Sequence, residues 1–324
     1  MNMRAWWINT TETEAKLELR ETPQPQPGPR QLLVRVRAAG LNRGEFIIGG
    51  LVKAGNAKPM GIEAAGEVTQ VGAEVTRFKA GDRVMGRFAG GLAEFVLANE
   101  AEALAIPEQL SWEEAGAMPT TYMVAQDMLA LQGGLQAGGW LLVTGIASGV
   151  GVASLQIAKA LGAKVIGTSG SQEKLEQLRR IGLDAAVRTR SSDFHAQVMD
   201  ATGGAGVNLV VNNVGGTVFA ECVRCLAYQG RLATVGYVDN TLKAEIDLQA
   251  LHAKRLVLFG VSNKMTTPAH KAEATRQFGE GMLPLVAAGK LRPLIDRSFP
   301  FDQVPAARAH MEANAHVGKI VVAL

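Results

Sequence analysis

Residues 139–174, GWLLVTGIASGVGVASLQIAKALGAKVIGTSGSQEK, constrain this chain more than any other stretch. Trp140 to Val143 form a short apolar run with the character of a buried strand. A glycine turn follows, with Gly145, Gly149 and Gly151, and then apolar residues at helical spacing from about Val150 to Leu161. After Gly162, Lys164 to Gly167 form a second apolar strand. Strand, glycine turn, helix and strand make the first half of a dinucleotide-binding βαβ unit. The glycines allow backbone N–H groups to approach a pyrophosphate, and the helix N-terminus adds partial positive charge. The candidate cofactor residues of this turn are therefore Gly145, Ser148, Gly149, Val150 and Gly151.

The end of the second strand speaks to the cofactor's ribose. A unit that binds NAD usually places Asp or Glu there, bonded to the 2′-hydroxyl. Here it reads Gly167-Thr168-Ser169-Gly170-Ser171, with no acid. Lys174 lies just beyond, and Arg188 and Arg190 follow the expected third strand. Ser169, Gly170 and these cations suit a 2′-phosphate, so NADPH is the expected cofactor.

A chain of 324 residues is expected to form about two domains. Its hydrophobic content of 47% and 37 glycines fit an α/β protein with many turns. The net charge of +3 gives no reason to expect a nucleic-acid partner, and no membrane span or secretory segment is visible. Cys222 and Cys225 are the only cysteines and fall in a helical pattern, so a reducing cytoplasm is expected rather than a disulfide framework.

The first 110 residues are strand-rich. Strands are expected around Trp6–Ile8, Leu17–Arg20, Leu32–Arg37, Gly61–Val71 and Gly91–Leu97, with a turn at Lys79–Asp82. Ser111 and Glu114 form a capping box for a short helix. From about Thr121 helices alternate with apolar strands at Leu209–Asn212, Leu232–Val235 and Leu256–Val261, the pattern of a parallel sheet covered on both faces. A short strand, a helix around Pro305–Ala315 and a last strand, Lys319–Leu324, close the chain.

Several segments together resemble the medium-chain dehydrogenase/reductase superfamily, and within it the quinone oxidoreductase-like branch. They are AAGLNRGEF (38–46), GIEAAGEVTQVGAEVTRFKAGDRVMG (61–86), GLAEFVLA (91–98), the glycine-turn segment, GVNLVVNNVGG (206–216) and HVGKIVVAL (316–324), all in family order. The resemblance covers nearly the whole chain. It implies an α/β fold: a Rossmann-type doubly wound parallel sheet, residues 121–262, inserted into a strand-rich GroES-like catalytic domain, residues 1–120 and 263–324. It also implies a cofactor in the interdomain cleft, lined by Asn42, Asn213, Gly236, Tyr237, Gly260 and Val261, and a homodimer. The turn Thr144-Gly145-x-x-x-Gly149-x-Gly151 also matches the short-chain dehydrogenase pattern. That family needs Tyr-x-x-x-Lys, whereas Tyr122, Tyr228 and Tyr237 have Gln126, Leu232 and Thr241 four residues on.

Zinc-using members of the superfamily hold the metal through cysteine and histidine. Here the loop position commonly Cys is Asn42, and the His of the GHE motif is Ile62. No Cys or His precedes His195, so no metal site is expected. Cys222-x-x-Cys225 is a single pair and reads as packing. Without zinc, hydride can add directly to a conjugated acceptor if the chain supplies orientation, a slot and a hydrogen bond to the acceptor oxygen. The expected substrate is therefore a quinone or an α,β-unsaturated carbonyl. Asn42 is the candidate donor and Tyr122 the candidate proton donor. Phe46, Ile48 and Leu51 would line the slot, and Glu63 would hold the loop. The alternative is an NADPH-binding protein with a structural or regulatory role and little turnover.

Overall fold

The computed structural model describes residues 1–10, 15–46, 57–263 and 265–324. They form two compact units, one of Met1–Met123 with Thr266–Leu324 and one of Val124–Met265. The expected boundary at 120/121 falls inside the helix Pro119–Gln126, which carries the chain from the first unit into the second.

The first unit is built on a seven-stranded sheet. Its strand order is Ile295–Pro300, Lys319–Ala323, Gln31–Gly40, Ala64–Val71, Arg83–Gly86 and Ala103–Ala105, with Phe95–Asn99 also paired to Gln31–Gly40. A smaller sheet joins Ala15–Pro23, Asn2–Thr10 and Lys58–Pro59. Leu32, Val34 and Val36 are buried on the central strand and belong to a core shared with Phe299, Ile320 and Val322 from the C-terminal segment. The Trp6 indole donates to the Phe301 carbonyl at 2.7 Å and joins the same two segments. Antiparallel pairing sets Val321 opposite Gly40 and Ala38 opposite Ala65. That register brings the residues just before Val321, just after Gly40 and just before Ala65 to one place.

The second unit contains a six-stranded sheet, all its neighbours parallel. The order is Ala185–Arg188, Lys164–Ser169, Trp140–Thr144, Val207–Asn212, Leu226–Thr234 and Val257–Gly260. The chain runs outward from Trp140–Thr144 in one direction and then returns to continue in the other. The carboxyl ends of Trp140–Thr144 and Val207–Asn212 thus flank the topological switch point, where ligands bind in open α/β sheets. The strand expected at Leu232–Val235 begins earlier, at Leu226. Its first half is the exposed Tyr228-Gln229 stretch, which lacks the apolar run that marks a buried strand. Among the described residues no helix is long and apolar enough to cross a membrane.

Candidate functional site

In the second unit the glycine turn is tightly closed. Gly145 has φ +63°, which an L side chain rarely adopts. Ser148 caps the helix Gly149–Ala160, its hydroxyl accepting from the Gly151 N–H at 3.0 Å. A Cβ on Gly151 would lie 2.4 Å from the Ile146 carbonyl oxygen, so the turn closes only on glycine. Ile146 is wholly buried and fits because the next strand offers Gly167, where a Cβ would meet the Ile146 side chain at 2.8 Å.

Two asparagines and a threonine tie the strands flanking the switch point. The Thr144 hydroxyl donates to Asn212 Oδ1 at 3.1 Å and accepts from the Asn213 N–H at 3.0 Å. Asn212 turns the chain back on itself, accepting from the Val214 and Gly215 N–H groups and donating to the Gly215 carbonyl at 2.9 Å. Asn213 is buried and its amide donates to the Thr144 carbonyl at 3.1 Å. The Asn213 side chain is thus engaged with the strand end at Thr144. Gly236 packs over it, since a Cβ there would lie 2.8 Å from the Asn213 carbonyl oxygen. A cavity of about 230 Å³ opens at the carboxyl ends of Val207–Asn212 and Leu226–Thr234, lined among others by Asn212, Gly215, Thr234 and the half-exposed Tyr237. Gly260 is exposed, with open space around its α-carbon, and Val261 follows it, bonded to the Thr234 carbonyl.

At the end of the second strand, Ser169 pairs in register with Arg188. The Arg190 side chain lies directly against Gly170, where a Cβ would sit 2.6 Å from its Nε. Ser171 caps the helix Gln172–Arg179 and accepts from the Lys174 N–H. Ser169, Gly170, Lys174, Arg188 and Arg190 are thus gathered at one strand end. The sequence singled out Lys174 as the leading partner; the structure sets Arg190 closest to the glycine.

In the first unit Asn42, Glu45, Glu63 and Lys319 form a closed polar cluster. Lys319 stands on the last strand, in a run that is otherwise apolar and buried. Its ammonium donates to Glu63 Oε1 at 2.7 Å, Asn42 Oδ1 at 2.8 Å and the Leu41 carbonyl at 3.0 Å, which uses all three hydrogens. Glu63 is wholly buried, and its other oxygen accepts from the Thr120 N–H at 2.7 Å. Gly40 is required beside it, since a Cβ there would lie 2.6 Å from Glu63 Oε1. The Asn42 amide donates to Glu63 Oε1 at 2.8 Å and more weakly to Glu45 Oε1 at 3.2 Å. Glu45 accepts the Asn42 backbone N–H at 2.9 Å and the Gly61 N–H at 3.1 Å. Burial pushes its carboxyl up to about 7, opposed by its bonds from Asn42.

The other candidate residues have surroundings of their own. The Asn42 amide is already committed at both ends, so it is not a free donor. Tyr122 is 1% exposed, and burial pushes its phenol well above the ordinary range. Phe46 is buried in the core with the Arg308 guanidinium over its ring. Ile48 and Leu51 lie outside the described residues. Cys222 and Cys225 are free and buried, and burial pushes the Cys225 thiol up to about 12. Among the described residues no three His, Cys, Asp or Glu side chains come together to hold a metal ion. Sequence reasoning missed Glu45 and Lys319. The spacing Asn42-x-x-Glu45 is a capping pattern, and a lysine opening an apolar strand was the available sign of a buried charge.

Comparison with known proteins matches residues 28–108 to a family described as alcohol dehydrogenase GroES-like domain and residues 149–278 to one described as zinc-binding dehydrogenase. The chain is 32% identical to a quinone oxidoreductase-like protein 2 homolog of Nematostella vectensis, over 91% of this chain and 82% of that one. It is 30% identical to quinone oxidoreductase-like protein 2 of Bos taurus, over 97% and 90%. It is also 30% identical to a highly reducing polyketide synthase of Arthrinium phaeospermum, of whose length it spans 12%. Among solved structures, mycobacterial Rv1454c complexed with NADPH superposes with a TM-score of 0.90 at 26% identity, covering 99% of this chain and 100% of that one. The CurK enoyl reductase superposes with a TM-score of 0.82 at 26% identity, covering 98% and 99%. With a parallel Rossmann-type sheet, a GroES-like unit and relatives matched over most of their length, the chain belongs to the quinone oxidoreductase-like branch of the medium-chain dehydrogenase/reductase superfamily, a family of nicotinamide-dependent oxidoreductases.

Proposed function

We propose that this chain is an NADPH-dependent reductase that passes hydride to a quinone or an α,β-unsaturated carbonyl without zinc. The observation that carries the reading is the Asn42–Glu63–Lys319 cluster. Asn42 and Ile62 stand where zinc-using relatives place thiolate and imidazole, and the charge on Glu63 is met by an ammonium whose hydrogens are all engaged. The match to the family described as zinc-binding covers residues 149–278 and does not include these positions. An amide and an isoleucine offer a metal neither a soft ligand nor a nitrogen lone pair.

The electronic consequence selects the acceptor. An isolated ketone would develop a localised alkoxide and needs strong polarisation. A conjugated acceptor spreads the charge over an enolate or quinol anion, so one modest donor suffices. When bound, the reduced nicotinamide supplies the hydride. The chain's own part is to hold the pyrophosphate on the turn Gly145–Gly151, to receive the 2′-phosphate among Ser169, Lys174, Arg188 and Arg190, and to orient a polar group at Asn42. Support for NADPH over NADH comes from the Arg190 side chain set against Gly170 and from the neighbour complexed with NADPH. A homodimer and a small-molecule acceptor remain part of this reading.

A second reading, an NADPH-binding protein with little turnover, is favoured by one observation: the Asn42 amide is held by carboxylates on its donor side. One assay separates the two. NADPH oxidation is followed with a panel of quinones, enones and unconjugated ketones, using stereospecifically deuterated cofactor. Deuterium on the β-carbon of an enone product supports the reductase. Tight NADPH binding with no acceptor consumed across the panel makes the binding protein the better account.

A further inference from the structure

Asn42 has two amide hydrogens and three acceptors within reach: Glu63 Oε1 at 2.8 Å, Glu45 Oε1 at 3.2 Å and the Gly40 carbonyl at 3.5 Å. Its oxygen is pinned by Lys319, so the amide cannot flip without breaking a charge-assisted bond. A carbonyl acceptor can therefore receive a hydrogen from Asn42 only by displacing one of the existing partners. Glu63 is the tighter carboxylate, held on its other side by the Thr120 N–H and itself paired with Lys319. Glu45 is the looser one.

We propose that Glu45 is a positioning residue for Asn42, whose ionised carboxylate retains the amide hydrogen and whose protonated form releases it to a carbonyl acceptor. This inference rests on the reductase reading above. Its physical basis is that a carboxylate accepts a hydrogen bond far more strongly than a neutral carboxyl.

The surroundings leave Glu45 open to titration. Of the charged groups facing it among the described residues, Glu63 repels a second negative charge, Lys319 attracts one, and Lys58 shares a small cavity with it. The Lys319 hydrogens nevertheless all go to Glu63, Asn42 and Leu41, and none to Glu45. Arg43, on the same short helix, sends its guanidinium to the Met311 carbonyl and Asn314 instead. A cavity of about 40 Å³, lined by Glu45 with Ile8, Lys58, Met60 and Ile62 among others, adjoins the carboxyl and has room for water to carry its proton. Glu45 itself is 5% exposed, and burial sets its proton loss at about 7, with the Glu63 charge acting in the same direction.

The test is the pH profile of kcat with a conjugated acceptor at saturating NADPH, for the unaltered protein, E45Q and E45D. In the unaltered protein kcat should fall about three- to tenfold as pH rises through about 7, the difference between a charge-assisted and a neutral competitor. E45Q should lose that inflection, E45D should keep it, and NADPH binding should be the same in all three. An inflection that persists in E45Q, or none in the unaltered protein, overturns the inference. A measurement without turnover runs beside it: the infrared carbonyl stretch of a buried protonated carboxyl, present below about pH 7, lost above it and missing from E45Q. Absence of that band in the unaltered protein also overturns the inference, even if E45Q does not fold. No turnover with any acceptor, with the band present, shows instead that the reductase reading has failed.

Discussion

Lys319 Nζ lies 2.7 Å from Glu63 Oε1, and the two side chains are 4% and 0% exposed. A charge pair this deep is costly to desolvate, and it persists because every hydrogen of the ammonium and both oxygens of Glu63 have partners. The pair also links chain segments far apart in sequence, the strand ending at Ala323 and the turn before Ala64.

Removing one partner should therefore be severe. Lys319→Met leaves the Glu63 carboxylate buried and uncompensated, and should lower unfolding free energy by about 3–5 kcal/mol in urea titration. The double variant with Glu63→Gln should recover much of that loss. A single variant within error of the unaltered protein would show that the pair contributes nothing to folding.

Glu45 gives stability a pH dependence of definite sign. Its folded value of about 7 exceeds the ordinary 4.5, so the folded state keeps the proton longer. The stabilisation is complete below about pH 4.5, declines as pH rises between the two values, and is gone above about 7. Relative to Glu45→Gln, the unaltered protein should lose about 3 kcal/mol over that interval, as read from melting or denaturant midpoints across pH. A stability difference that does not change with pH contradicts the buried, protonated carboxyl.

Cofactor choice should rest on Arg190, whose side chain lies against Gly170, and on the nearby Lys174. Arg190→Ala should weaken NADPH binding roughly 10- to 100-fold, the loss of one charge-assisted bond, and Lys174→Ala should act in the same direction. NADH binding should hardly change in either. Fluorescence titration with both cofactors measures this, and equal affinity for the two in the unaltered protein would remove the basis for the preference.

The glycine turn should not tolerate a methyl group. In Gly151→Ala the new Cβ would meet the Ile146 carbonyl oxygen at 2.4 Å, so the backbone must move. Overpacking of this kind costs about 1–3 kcal/mol and should open the phosphate cradle. Calorimetry should report a lower melting temperature, and pyridine nucleotide binding should weaken for NADH and NADPH alike, unlike the effect of Arg190→Ala.

The local elements were legible because each is governed by near neighbours in the chain. Trp140–Thr144, the helix beginning at Gly149 and Lys164–Ser169 announce themselves by apolar period and glycine placement. The Ser111–Glu114 capping box is present as read, with reciprocal bonds of 2.9 and 3.2 Å. Family order along the chain identified the superfamily for the same reason, since motifs are local. Side-chain commitments were not legible, because they depend on which distant segments meet. The sequence names Asn42 as a polar residue in a loop; only the antiparallel pairing of Val321 with Gly40 brings Lys319 to it and occupies its amide. Likewise the burial of Tyr122, and of Glu45 beneath the Gly61 and Asn42 N–H groups, depends on packing that no local pattern announces. Sequence alone thus determined the strand–turn–helix units and the family. The tertiary structure decided which polar groups are spent on one another, because hydrogen bonding and burial act through space, independently of separation along the chain.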